Sequence, residues 1–165
     1  MPILPLDPQA DRAAILGLLT EARDYYQLWL GRDPNESDVD DVLQAGPPGC
    51  DPAASHRLGL WGEGLEGVAE LSFGFPTAPD AYLGLMILAP RARSRGQGAA
   101  FLDHIQALAQ GCPRLYLAVL EANPRGRTFW ERMGFRPTGV NREMQENGIP
   151  HRVHRLVKDL PRGAL

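Results

Sequence analysis

Apolar and polar positions along the chain change period several times, and each change marks an element. Residues 2–7 read as a short edge strand, since their prolines keep it off the centre of a sheet. From Asp7-Pro8 the pattern turns helical, with Ala13, Ile15, Leu16, Leu18 and Leu19 on one side. Asp can cap such a helix and Pro fits its first turn. A second helical stretch carries Tyr25, Tyr26, Leu28, Trp29 and Leu30 and ends at Gly31; a third, acidic one runs from Asp33-Pro34 to Leu43. After a Gly- and Pro-rich loop over residues 45–52, strand patterns cover 57–62, 65–75 and 82–89. Residues 99–110 are again helical, with Phe101, Leu102, Ile105, Leu108 and Ala109 on one face. The continuous apolar run 115–120 predicts a strand buried on both faces. A short helix over 127–132 stops at Gly134, and strands near 135–144 and 151–160 flank Asn147-Gly148, a strong hairpin signal.

That order predicts an α/β fold (α+β by some schemes) with a mixed, twisted sheet of six to seven strands and helices on both faces. At 165 residues, with 44% hydrophobic and 22% charged side chains, the chain suits one soluble domain over residues 1–165. Its regions are a helical part over 1–56, central strands over 57–120, and a short helix with hairpin over 121–165. A net charge of −3 gives no reason to expect nucleic acid as partner. The longest apolar run, 83–89, is far below the roughly 20 residues that span a bilayer, so no membrane role is expected. Cys50 and Cys112 form no C-x-x-C pair and have no His at ligand spacing. No disulfide scaffold or metal site is therefore expected, and a reduced cytoplasmic setting is the default.

Candidate chemistry gathers at residues 90–98. A buried strand ends at Pro90, which cannot continue a ladder. Arg91, Arg93 and Arg95 follow, then Gly96 and Gly98, then an amphipathic helix. Glycines let backbone amides face a ligand, and a helix N-terminus adds unpaired N–H groups with about half a positive charge. The segment therefore reads as a pyrophosphate cradle. A dinucleotide-binding unit is the rival, because Glu121 ends the next strand where a ribose-binding acid would stand. That fingerprint needs a third glycine, however, and Phe101 occupies its place. No Gly-Lys-Ser/Thr occurs, which excludes a Walker loop.

Leu88-x-Pro90 followed by Arg93-Ser94-Arg95-Gly96-Gln97-Gly98 resembles the hallmark of the GNAT superfamily of N-acetyltransferases. So does Asn123 after the next strand, followed by Phe129-Trp130-Glu131-Arg132-Met133-Gly134-Phe135. The resemblance covers residues 82–140 and implies acetyl-CoA as acyl donor, held between two central strands that splay apart. The pantetheine arm would follow Leu85, Met86, Ile87 and Leu88. The amides of Arg93, Ser94, Arg95, Gly96, Gln97 and Gly98 would hold the pyrophosphate, with Asn123, Phe129 and Trp130 lining the other side of the arm. The helices of residues 1–56 would build the acceptor site, with Tyr25, Tyr26 and Trp29 at its lip.

The chemistry implied is direct attack of a primary amine, taken as that of a small molecule, on the thioester in a ternary complex. Such an amine, with a pKa near ~10, must shed a proton. Two positions depart from the family: Ala118 stands where a Glu is often found, and Trp130 where a Tyr acid is often found. Glu70, Tyr82 and Glu121 are the alternative candidates for the base. His151 and His154 fall on opposite faces of a strand and cannot act as a pair, and each is expected at the surface. A non-catalytic acyl-CoA sensor of the same fold stays open, as does a nucleotide-dependent oxidoreductase. Homodimerisation, common in the family, is left undecided.

Overall fold

A computed structural model describes residues 2–161. Seven strands form one sheet in the order β1-β2-β3-β4-β5-β7-β6. They are β1 (Ile3–Pro5), β2 (His56–Gly62), β3 (Gly64–Phe73), β4 (Ala81–Leu88), β5 (Arg114–Leu120), β6 (Arg136–Glu146) and β7 (Ile149–Asp159). The helices are α1 (Arg12–Glu21), α2 (Arg23–Leu30), α3 (Glu36–Gln44), α4 (Gln97–Leu108) and α5 (Pro124–Arg132). All strand pairings are antiparallel except β4 with β5, which are parallel. The expected mixed sheet of six to seven strands is borne out at seven, with helices on both faces.

Two apolar cores explain the layering. On one face Phe101, Leu102 and Ile105 of α4 pack with Leu58, Leu71, Leu83, Leu115, Leu117 and Leu156 of the sheet. On the other, Ile15, Leu18 and Leu19 of α1, Tyr26 and Leu30 of α2, and Val39 and Val42 of α3 pack with Leu65, Val68 and Ile87. The helical period read from the sequence therefore puts its stripe against the sheet in each case. Asn147 (φ +51°) and Gly148 (φ +79°) join β6 to β7 with both residues left-handed, as the hairpin signal requires.

Three local expectations need correction. The third helix starts at Glu36 rather than at Asp33-Pro34, because Asn35 caps it, its side chain accepting from the Ser37 N–H. The last helix begins at Pro124 because Asn123 caps it, accepting from the Gly126 N–H at 3.0 Å. Finally, β5 is not buried on both faces: Tyr116 is half-buried and Ala118 exposed, while Leu115, Leu117 and Val119 are buried. One face of this apolar strand therefore opens onto a cavity. Among the described residues no helix is long and apolar enough to cross a membrane.

Phe101 is fully buried between α4 and the sheet. Phe101→Ala should cost about 3–5 kcal/mol, read as a lower urea midpoint, whereas Leu4→Ala on the exposed edge strand should change it little.

Candidate functional site

The site follows from how little β4 and β5 touch. They pair only at Ala81↔Leu115 and Tyr82↔Tyr116, and then part. Strand β5 keeps its other edge fully engaged, with seven positions paired to β7. The β5-facing backbone of Leu85, Met86, Ile87 and Leu88 is thus left without a strand partner; the Leu88 carbonyl takes the Arg93 Nε–H instead, and the remaining polar groups need another partner. At the end of β4, Pro90–Ala92 makes a single 3-10 turn. Ser94 (φ +63°) and Gly96 (φ +78°) then adopt left-handed conformations ahead of α4. Alternation of this kind gathers amides into an anion-binding concavity. Gly96 stands at the N-cap of α4 and has no side chain with which to bond the first-turn N–H groups. At Gly98 a Cβ would stand 3.1 Å from the Phe129 ring, so α5 lies directly against the start of α4.

A cavity of about 730 Å³ opens where the strands part. Its walls come from α2 (Tyr25, Tyr26, Trp29), α3 (Asp38, Asp41), the sheet (Glu70, Tyr82, Gly84, Leu85, Ala118) and the β6–β7 hairpin (Arg142, Arg155). The structure thus brings together Glu70, Tyr82 and the aromatic group Tyr25, Tyr26 and Trp29, which the sequence placed on three separate elements. Glu121 is not among the lining residues; it is exposed, 3.3 Å from His154 Nε2. Asn123 is occupied as the α5 cap. Trp130 packs against the core beside Phe135, with ring centroids 5.4 Å apart. Ser94 and Arg95 lie at the head of α4, while Arg93 bonds Asp24 at 2.7 and 3.2 Å and the Leu88 carbonyl at 3.2 Å. His151 departs from its expected surface position. It is buried beneath α2, its Nε2 is 2.8 Å from the Trp29 carbonyl and its ring stacks on Trp29.

Two buried carboxyl groups line the cavity: Asp38, which is paired with Arg32, and Glu70, on the sheet. The register of β3 with β4 slips beside it: Glu70 pairs with Leu85 and Leu71 with Leu83, leaving Gly84 as the extra residue of a bulge. A Cβ on Gly84 would fall 2.2 Å from Glu70 Oε2, so only glycine lets the carboxyl lie over β4 there. Burial pushes the Glu70 pKa up. The Ser72 hydroxyl, the Arg57 guanidinium and the Gly84 N–H each pull part of the way back. Burial likewise raises Tyr82, with Arg155 and Arg142 pulling down and Glu70 pushing up. Tyr82 therefore stays a phenol at neutral pH and is a poor base. Burial also pushes Tyr25 up to about 12 and raises Tyr26.

Residues 18–135 match the model of the acetyltransferase (GNAT) family. The chain belongs to that family. Solved structures agree with the fold of this GNAT acetyltransferase. An acetyltransferase from Thermus thermophilus has TM-score 0.73 at 24% identity, covering 96% of each chain. Ribosomal-protein-alanine N-acetyltransferase from Brucella melitensis has TM-score 0.73 at 18% identity, covering 97% of this chain and 100% of that one. A spermidine N-acetyltransferase chimera of the Vibrio cholerae enzyme and hSSAT has TM-score 0.71 at 18% identity, covering 96% and 94%. The proteins so named act on both protein and small-molecule amines.

The raised Glu70 pKa has a consequence for stability. An acid held above its ordinary 4.5 in the folded chain stabilises fully below that value and loses the contribution as pH rises through the folded pKa. The GNAT chain with Glu70→Gln, neutral throughout, should therefore gain stability relative to the parent between about pH 5 and about pH 8. Urea midpoints at the two pH values check this, and a difference that ignores pH would mean that Glu70 titrates as in the unfolded chain.

Proposed function

We propose that this GNAT acetyltransferase moves an acetyl group from acetyl-CoA to the primary amine of a small molecule, with Glu70 as general base. The observation that carries the reading is the coincidence of two features. The gap between β4 and β5 opens into a cavity, and the buried carboxyl group of Glu70 hangs over the bulge in β4 there. Acetyl-CoA supplies the thioester. The reaction forms a nitrogen–carbon bond, breaks the carbon–sulfur bond and moves one proton from nitrogen to sulfur.

The residues supply position and charge. The amides from Arg93 to Gly98, at the head of α4, suit the coenzyme's pyrophosphate. Leu85, Met86, Ile87 and Leu88 offer strand-edge groups to the amide-bearing pantetheine arm, and an N–H of this edge suits the thioester oxygen. Phe129, seated on Gly98, lies beside that cleft. Glu70 accepts the amine proton, because a carboxylate with a raised pKa is a better base than an ordinary one. A thiol of pKa about 8.5 leaves without an acid, which fits Trp130 packing in the core rather than standing in the cavity.

Free-thiol release across an amine panel tests the reading. In the parent, kcat/KM should rise with pH along a limb displaced above the ordinary glutamate range. Glu70→Gln should lose that limb and about 10²-fold or more in kcat. A folded Glu70→Gln that keeps kcat within about threefold of the parent would remove Glu70 from this role.

A further inference from the structure

Arginine pairing in this chain is uneven in an informative way. Eight arginines lie within 3.6 Å of a carboxylate. Arg142 and Arg155 form no such pair among the described residues, yet both line the cavity. Their direction is set by the ladder. Val153 lines the cavity, Arg142 is its cross-strand partner, and Arg155 is two residues further along β7, so all three share one face. Across the sheet, Arg155 pairs with Ala118 of β5, whose methyl offers it no carboxylate. The Arg155 guanidinium reaches back towards β4, ending 5.2 Å over the Phe75 ring, which in turn packs edge-on against Tyr82 at 5.1 Å. Tyr82 sits on the strand next to Glu70, and its hydroxyl feels Glu70 as well as Arg155 and Arg142.

The cavity is therefore polarised from one wall to the other. Glu70, Asp38 and Asp41 stand on the β3 and α3 side, with Arg32 paired to Asp38. The hairpin side carries Arg142 and Arg155 against the single carboxylate of Glu146, so that side is net positive. A second cation on the acceptor would meet Arg142 and Arg155, where like charges repel in a partly dry space. A purely apolar amine would desolvate them with nothing in return. A carboxylate or a phosphorus oxyanion would instead complete charge-assisted bonds of the kind arginine forks favour.

We propose that the acceptor is a compact ampholyte, a primary amine that also carries an oxyanion, with the amine at Glu70 and the oxyanion held by Arg155 and Arg142. This rests on the acetyl-transfer reading. In the step, the amine gives its proton to Glu70, nitrogen bonds the acyl carbon, the carbon–sulfur bond breaks and sulfur takes up a proton. The oxyanion is untouched and serves only to orient.

The test compares kcat/KM, with acetyl-CoA as donor, for 3-aminopropionate, 2-aminoethylphosphonate, propylamine and 1,3-diaminopropane. At least one anionic amine should exceed propylamine by about tenfold or more, and the better of the two identifies the oxyanion. Arg155→Gln and Arg142→Gln should each lower that ratio, the double variant should abolish it, and Arg155→Lys should retain part of it. Equal or better use of propylamine or the diamine, or a ratio that survives in the double variant, would overturn the proposal. If no amine releases thiol, the transfer reading fails, and titration calorimetry then decides the subsite alone. Binding of 2-aminoethylphosphonate but not propylamine, lost in the double variant, upholds it; equal binding or none overturns it.

Discussion

The cleft and cavity of this fold depend on one short contact, the two-residue parallel pairing of β4 with β5. A longer ladder would close the sheet, satisfy the backbone of Leu85–Leu88 within the chain and leave no cleft. The pairing stops because β5 is committed elsewhere. Its seven-position ladder with β7 fixes its direction, while β4 runs on along β3 through the bulge at Gly84. A bulge bends its strand and sharpens its twist, so the two strands diverge from a common start. The same divergence leaves Ala118 exposed on an otherwise apolar strand and gives the cavity its floor.

The bulge has a second effect, which links backbone geometry to acidity. By presenting Gly84 without a Cβ, it admits the Glu70 carboxyl and donates an N–H to it. Burial works against ionisation, while that N–H, the Ser72 hydroxyl and Arg57 favour it, and burial is the larger influence. The outcome is a carboxyl group held above its ordinary range beside the cleft, which is the property a proton acceptor for an amine needs. Cys50 lies close enough to feel its charge, so the loop after α3 also borders this pocket.

What was legible in the sequence was local. Periodicity found all the helices and strands, and the Pro90–Gly98 segment declared a turn before a helix because Pro and Gly act on their own residues. The Asn123-Pro124 step also carried a cap signal, Asn at the N-cap and Pro at the first helical position, and reading it would have started α5 correctly. Long-range partners were not legible. Arg93 meets Asp24 and Arg91 meets Glu21, pairs some seventy positions apart that no spacing rule connects. His151 is buried because α2 and the hairpin tip meet, with the Asn147 side chain bonded to the Leu30 carbonyl at 2.8 Å. The grouping of Glu70 with Arg155 depends on sheet order, in which β7 inserts between β5 and β6.

Those long-range pairs join the two halves of the site, and their energies decide what kind of joint it is. Arg93–Asp24 and Arg91–Glu21 involve carboxylates with roughly half their side-chain surface in water, at 56% and 42%. Such pairs contribute at most about 1 kcal/mol each. Arg91–Glu66 is different, since the Glu66 side chain is only 10% exposed and would be left buried and uncompensated without its guanidinium. Even so, the helices α1 to α3 are held to the sheet chiefly by Ile15, Leu18, Leu19, Tyr26, Val39 and Val42, and burying one such side chain stabilises by about 1.5–3 kcal/mol. The apolar layer therefore supplies the attachment, and the arginines set the alignment. Arg91 and Arg93 reach from the β4–α4 turn to α1, α2 and β3, so that turn and the aromatic wall of the cavity are tied together by the same two side chains.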